Sequence, residues 1–111
     1  MKADIFEFEV FGVPYIKFRN LNSFEDFNLI VKIIENKFKA DVIKKFQGFN
    51  SVIITYKKND LEFELKIDED LIITLKPRIT LNQTQNNKNI ESLRTIASEI
   101  VDYFNLNHPK A

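Results

Sequence analysis

The sequence predicts one two-layer α+β domain over residues 1–111, with an antiparallel sheet of about five to six strands and two helices on one face. Several short segments alternate apolar and polar residues with the period of two that is typical of strands with one buried face. Two longer segments repeat apolar residues with the 3.6-residue period of amphipathic helices. These segments follow one another in the order β-β-α-β-β-β-β-α.

Length and composition set the class of protein. At 111 residues, 44% of them hydrophobic, the chain can bury roughly two-thirds of its unfolded surface in one core. The 16 basic residues balance the 16 acidic ones, so no net charge attracts a polyanion. The absence of cysteine excludes disulfides and cysteine-ligated metals. Glu7 and Glu9 interrupt any signal-peptide core, and no apolar run approaches the ~18 residues of a membrane helix, so we expect a cytoplasmic protein.

The first two strands are predicted over residues 5–11 and 15–19, with a turn at residues 12–14. Pairing Phe8 with Phe18 places apolar side chains together on one face. The same register sets Val10 opposite Ile16, Glu9 opposite Lys17 and Glu7 opposite Arg19. Apolar contacts and opposite charges therefore agree on one register.

Ser23 predicts the start of the first helix, because its hydroxyl can cap the helix and Glu25 and Asp26 favour the positive end of the helix dipole. The inward stripe is predicted to be Phe24, Phe27, Val31, Ile34 and Phe38. Leu29 and Ile33 project from roughly the opposite side, so another element should cover them. Residues 40–47 fit either a continued helix or a strand before Gly48, and we favour the strand.

Residues 51–81 carry the clearest pattern, a meander of three strands around the alternating segment Leu61–Ile67. A turn at residues 58–60 allows two registers, with Ile54 opposite either Phe63 or Leu65. A three-residue loop, Asp68-Glu69-Asp70, predicts the pairs Ile67–Leu71, Leu65–Ile73, Phe63–Leu75 and Glu62–Lys76. Pro77 should end the ladder, although Ile79 and Leu81 could extend an edge.

The last part of the chain is predicted to be a polar surface loop over residues 82–87 and an amphipathic helix from about Lys88 to Asn105. A tail containing His108 and Pro109 follows. The core is predicted to form where the sheet meets the two helices, through Ile54, Phe63, Leu65, Ile73 and Leu75 with Phe27, Val31, Ile34, Leu93, Ile96 and Ile100.

The sequence lacks the parts of common catalytic sites. His108, the single histidine, lies in the tail, and no nucleophile elbow, phosphate loop or zinc-protease motif is present. Tyr15, Tyr56 and Tyr103 fit strand or helix faces. Asp68-Glu69-Asp70 is better explained as a turn than as a calcium site, which needs about six or more oxygen ligands. We therefore expect no enzyme activity, no metal and no cofactor.

Two charged groups could bind a partner. The acidic candidates are Asp60, Glu62, Glu64, Asp68, Glu69 and Asp70, which either form a solvated strand face or bind a protein. The basic candidates are Lys37, Lys39, Lys44, Lys45, Lys57 and Lys58, with Phe46 and Phe49 between them. The arginine-rich and exposed-aromatic pattern of an RNA-recognition sheet is missing, which argues against nucleic acid as a partner.

The order of hairpin, helix, meander and C-terminal helix, in a cysteine-free chain rich in Lys, Asn, Ile and Phe, resembles the immunity proteins of bacterial contact-dependent growth inhibition and other polymorphic toxin systems. The resemblance is architectural and carries no residue-level motif. It implies cytoplasmic neutralisation of a cognate toxin, often a nuclease, by direct binding over the active site or substrate cleft. The acidic candidates could complement a basic cleft.

Two alternatives stay open from the sequence. One is a structural subunit or homodimer that uses Leu29, Ile33 and an unpaired strand edge as its contact. The other is a small enzyme or ligand-binding domain with Lys and carboxylate side chains in a pocket between helix and sheet.

Overall fold

The structure, a computed structural model, describes residues 2–108. The strands are β1 (Asp4–Val10), β2 (Val13–Arg19), β3 (Asp41–Gln47), β4 (Val52–Lys58), β5 (Leu61–Ile67) and β6 (Ile73–Pro77). The helices are α1 (Phe24–Lys32), which continues into a π-helical turn (Ile33–Lys37), and α2 (Gln83–Asn107). The predicted α+β fold and element order are confirmed. The tail beyond His108 lies outside the described residues.

The six strands form one antiparallel sheet in the order β1-β2-β6-β5-β4-β3. Both helices lie on the same face, since the Tyr56 hydroxyl donates to Glu35 of the π-helical turn and Arg94 of α2 donates to Glu7 of β1. The core between the layers contains all the predicted residues, of which only Val31 is partly exposed. We call the sheet surface opposite the helices the open face.

The meander has the predicted faces but only one of its predicted registers. Strand β4 pairs with β5 so that Ile54 lies opposite Leu65, which is the second of the two registers that the sequence allowed. The predicted β5–β6 register is wrong by two residues, because Leu65 pairs with Leu75. The connecting loop extends to Ile72, since the Asp68 carboxylate accepts hydrogen bonds from the backbone N–H groups of Asp70 and Ile72.

The predicted register of the N-terminal hairpin is also wrong. Phe8 pairs with Tyr15 instead of Phe18, because the connection is a two-residue turn at Phe11-Gly12. Both turn residues have positive φ, 51° and 78°, as in the type I′ turns that close tight hairpins. The odd shift in register rotates β1, so that Phe6, Phe8 and Val10 lie on the open face instead of beside Phe18.

The first helix has the predicted cap but a rotated inward stripe. Ser23 Oγ accepts a hydrogen bond from the Asp26 backbone N–H, as predicted. Phe24 is 51% exposed, which contradicts its predicted inward position, whereas Ile30 is fully buried. The π-helical turn changes the phase of the stripe, because Phe38 N–H bonds to Ile33 five residues earlier. Ile33, which begins this turn, is buried instead of projecting from the opposite side.

The structure also tests the predictions for residues 40–47 and for the start of the second helix. Residues 41–47 form an edge strand with exposed side chains, which confirms the strand prediction.

Helix α2 begins at Gln83, so the predicted loop over residues 82–87 is wrong. Asn82 caps the helix at the Gln85 N–H, and Asn86 Oδ1 accepts from the Thr80 N–H, which anchors the first turn. Ile79 and Leu81 extend no strand and are exposed.

No helix within residues 2–108 is long and apolar enough to cross a membrane.

Candidate binding face

The open face is built by the residues that alternate with the core residues on each strand. At the β1–β2 end it carries Phe6, Phe8, Val10, Val13 and Tyr15, and across the meander it carries mainly Lys, Glu and Thr. The other sides of β2, β4, β5 and β6 pack against the helices, so the backbone under the middle of this face is held rigidly, whereas every residue of the edge strand β3 is exposed.

An aromatic cluster is the main feature of this face that the sequence did not predict. The rings of Phe6 and Phe8 have centroids 6.2 Å apart, and those of Phe8 and Tyr15 lie 5.4 Å apart and nearly parallel. Arg19 and Lys76 place cations 5.4 and 5.8 Å from the Phe6 and Tyr15 centroids. Gly12 was the available signal for the register that exposes these rings, because glycine favours the positive φ of a two-residue hairpin turn.

This cluster removes one argument made from the sequence. Nucleic acid was disfavoured because the chain lacked the exposed aromatic residues of an RNA-recognition sheet. Phe6 is 49% exposed, and Phe8 and Tyr15 are partly exposed on the open face. The sheet therefore does expose aromatic residues, contrary to what the sequence predicted.

The six acidic candidates do not form one patch. Asp60 lies in the β4–β5 turn, at the opposite end of β5 from the loop that contains Asp68, Glu69 and Asp70. A seven-residue strand is about 23 Å long, so these two groups are well separated. Glu62 and Glu64 lie between them on the open face, where they line a shared groove with Lys76 and Arg78.

The carboxylates on the open face already have cationic neighbours. Glu62 accepts a hydrogen bond from Arg78, and Glu64 lies 3.7 Å from the Lys76 ammonium group. At the far end, Arg19 donates to Asp4 over 2.7 Å, and this hydrogen bond raises the pKa of Arg19. The ion pairs reduce the negative potential that Glu62 and Glu64 present to a partner.

Of the basic candidates, Lys44 and Lys57 lie on the open face, whereas several other sequence candidates lie away from it. Asp68 uses its carboxylate to hold its own loop, and no group of three or more His, Asp or Glu side chains within residues 2–108 is placed to hold a metal ion. Leu29 and Ile33, the predicted self-association contact, line a groove with Tyr103 of α2. A groove of about 470 Å³ beside the β4–β5 turn contains Lys58, Asp60 and Glu99, but it is open to solvent, whereas the ligand-binding alternative requires a tight cavity between helix and sheet.

No family model, curated protein or solved structure matches this chain.

Proposed function

We propose that this chain is a cytoplasmic immunity protein that neutralises a cognate toxin, a nuclease, by direct binding over its active site or substrate cleft. In this role the chain is a binding protein and not an enzyme, and it needs no cofactor. The observation that carries the proposal is the open face, a six-stranded surface that no helix covers within residues 2–108. The element order that resembles immunity proteins is the second support.

The size of the open face suits a protein partner. Six strands spaced by about 4.8 Å span about 24 Å, and strands of seven residues are about 23 Å long, which gives roughly 550 Å². A standard protein–protein interface buries about 800 Å² on each partner. The open face and the turns at its ends together approach that area. Phe11, at the tip of the β1–β2 turn, adds a fully exposed ring to one corner.

The acidic candidates support specificity for a basic cleft. Glu62 and Glu64 project from a central strand whose other face is fully packed, so the bound conformation needs little reorganisation. The Arg78 side chain is 65% exposed and can move away when a cation of the toxin replaces it. Asp60 at one end, and Glu69 and Asp70 at the other, extend the proposed contact to the rim of the face.

The test uses any toxin gene that lies adjacent to the gene for this protein. Co-expression should rescue cells from that toxin, and the purified proteins should form a complex. Glu62→Lys/Glu64→Lys should weaken binding mainly through slower association, with a larger loss at low salt, because exposed charges act through steering. Glu91→Lys/Asp102→Lys on the exposed side of α2 makes the same change in net charge and should leave affinity nearly unchanged.

Two results would contradict the proposal at different levels. Failure to rescue from, or to bind, the adjacent toxin would reject the immunity function itself. Rescue with equal affinity losses in both double variants would retain the function but reject Glu62 and Glu64 as its contact. Both variants should melt near the wild-type temperature, because exposed ion pairs contribute only about 0–1 kcal/mol each.

A further inference from the structure

One cross-strand row of the open face runs through all six strands without a carboxylate. From β1 to β3 the directly paired residues are Phe6, Lys17, Thr74, Lys66, Ile53 and Phe46. Each end of the row is an aromatic residue, and the two lysines lie between them. At about 4.8 Å for each neighbouring strand, the row is about 24 Å long. We call this set the central row.

The aromatic end of the central row offers a stacking surface formed by the Phe6 ring and by the Arg19 guanidinium, which lies over that ring 5.4 Å from its centroid and can itself stack on a base. Phe6 belongs to the cluster in which the Phe6 and Phe8 rings are inclined by 22° and the Phe8 and Tyr15 rings by 10°. Planar nucleobases stack on such rings whatever their sequence, because every base has a π-face. At the other end, Phe46 is 53% exposed and lies on an edge strand that presents the same face.

The lysines of the central row carry uncompensated charge. Lys17 and Lys66 form no ion pair with any residue between 2 and 108. The nearest carboxylates on this face are already engaged, Asp4 by Arg19 and Glu64 by Lys76. Phosphate groups would therefore meet two free ammonium groups without having to displace an internal partner.

We propose that the central row binds single-stranded nucleic acid, in a site of about four nucleotides. Bases stack on the Phe6 and Phe46 ends, and the intervening phosphates contact Lys17 and Lys66. A duplex is a poorer ligand because its bases stack on one another and leave no π-face for the rings. A second copy of this chain packed face to face would bring the lysine-rich rows together, so charge disfavours it. This proposal goes beyond the immunity function and does not depend on it.

The experiment measures fluorescence anisotropy of a labelled oligothymidine of about fifteen nucleotides at several salt concentrations. The wild-type protein should bind saturably at low salt. Lys17→Ala/Lys66→Ala should weaken binding at least tenfold, and the slope of log K against log salt should become shallower by about 1.4, since each phosphate contact on a single strand contributes about 0.7. Phe6→Ala should weaken binding about tenfold without changing the slope.

Matched variants separate the central row from general charge and folding effects. Lys32→Ala/Lys88→Ala removes two exposed lysines from the helical layer and should stay within about twofold of wild type. Phe6→Leu keeps an apolar side chain but removes the ring, so it should lose affinity like Phe6→Ala while melting like wild type. Thermal melts check every variant.

Three outcomes would overturn the proposal. They are no saturable binding at low salt, equal losses in the two lysine double variants, and equal affinity for a duplex of the same length. Toxin binding that depends on Lys17 and Lys66, without oligonucleotide binding, would instead assign the central row to a protein partner.

Discussion

Strands β1 and β5 have the same alternating pattern, yet they turn opposite sets of side chains towards the helices. In β5 the apolar residues Phe63 and Leu65 are buried and the glutamates are on the open face. In β1 the apolar residues Phe6 and Phe8 are on the open face, while Glu7 points to α2 and pairs with Arg94 over 2.7 Å.

The difference shows what alternation does and does not determine. Alternation identifies the residues that share a face, whereas the neighbouring strands and turns determine which way that face points. Strand β5 has a partner on each side, and both pairings agree with burial of its apolar set. Strand β1 is at the sheet edge and has one pairing, which the Phe11-Gly12 turn fixes.

The largest loss of stability is expected from truncating a buried phenylalanine of β5. Phe63→Ala should lower the free energy of unfolding by about 3–5 kcal/mol, because it removes a buried ring and leaves a cavity. Phe6→Ala should cost less than about 1 kcal/mol, because it loses only partial burial and exposed ring contacts. Urea unfolding of both variants measures the difference. Similar losses would mean that β1 buries its phenylalanines after all.

The sequence predicted the parts of the fold in which local signals and burial agree. Fold class, element order and the Ser23 cap follow from such signals. The two wrong registers and the early start of α2 depend on turn and cap hydrogen bonds, made for example by Asp68 and Asn82, which compete with simple alternation.

The candidate site was predictable only as a list of residue types. Glu62 and Glu64 were correctly expected on the wet face of β5, because their neighbours on that strand are core residues. The cationic partners of these two glutamates depend on the register between β5 and β6 and on the course of the chain after Pro77. Neither was predicted correctly from the sequence. The aromatic cluster was missed because exposing Phe6 and Phe8 contradicts burial preference, and only the turn reveals it.

A medium effect is expected from the single hydroxyl on the buried side of β4. Tyr56 is fully buried and donates a hydrogen bond of 2.8 Å to Glu35 Oε2. Tyr56→Phe should lower the free energy of unfolding by about 1–3 kcal/mol, since it removes a bond to a charged acceptor. Tyr15→Phe, on the open face, should change it little. Thermal or urea unfolding at neutral pH checks both.

The same hydroxyl predicts a pH dependence. Burial, and then the hydrogen bond and charge of Glu35, raise the pKa of Tyr56 well above its ordinary value. The folded state therefore holds the Tyr56 proton more tightly than the unfolded state does. The stabilisation that protonated Tyr56 gives to the fold is complete below about pH 10, the ordinary tyrosine pKa, and is lost as the pH rises further. Wild type should therefore lose stability faster than Tyr56→Phe in alkaline unfolding titrations. Parallel curves would contradict the assignment.

The smallest change in stability is expected from substitutions in the turn that orients β1. Phe11 has φ of 51° and a fully exposed side chain, so Phe11→Asn should raise the free energy of unfolding by about 1 kcal/mol, because asparagine tolerates this conformation better. Gly12→Ala, at φ of 78°, should have the opposite sign. Unfolding curves of the pair test this, and a destabilised Phe11→Asn would show that the ring contributes to the fold.

The most direct test of the account is the register of the N-terminal hairpin, because the aromatic cluster and the central row both depend on it. Nuclear Overhauser contacts in a labelled sample report the cross-strand neighbours of Phe8. We expect contacts between Phe8 and Tyr15, whose ring centroids are 5.4 Å apart, together with contacts between Phe6 and Lys17. Contacts between Phe8 and Phe18 would place the phenylalanines of β1 against the core and contradict the open aromatic face.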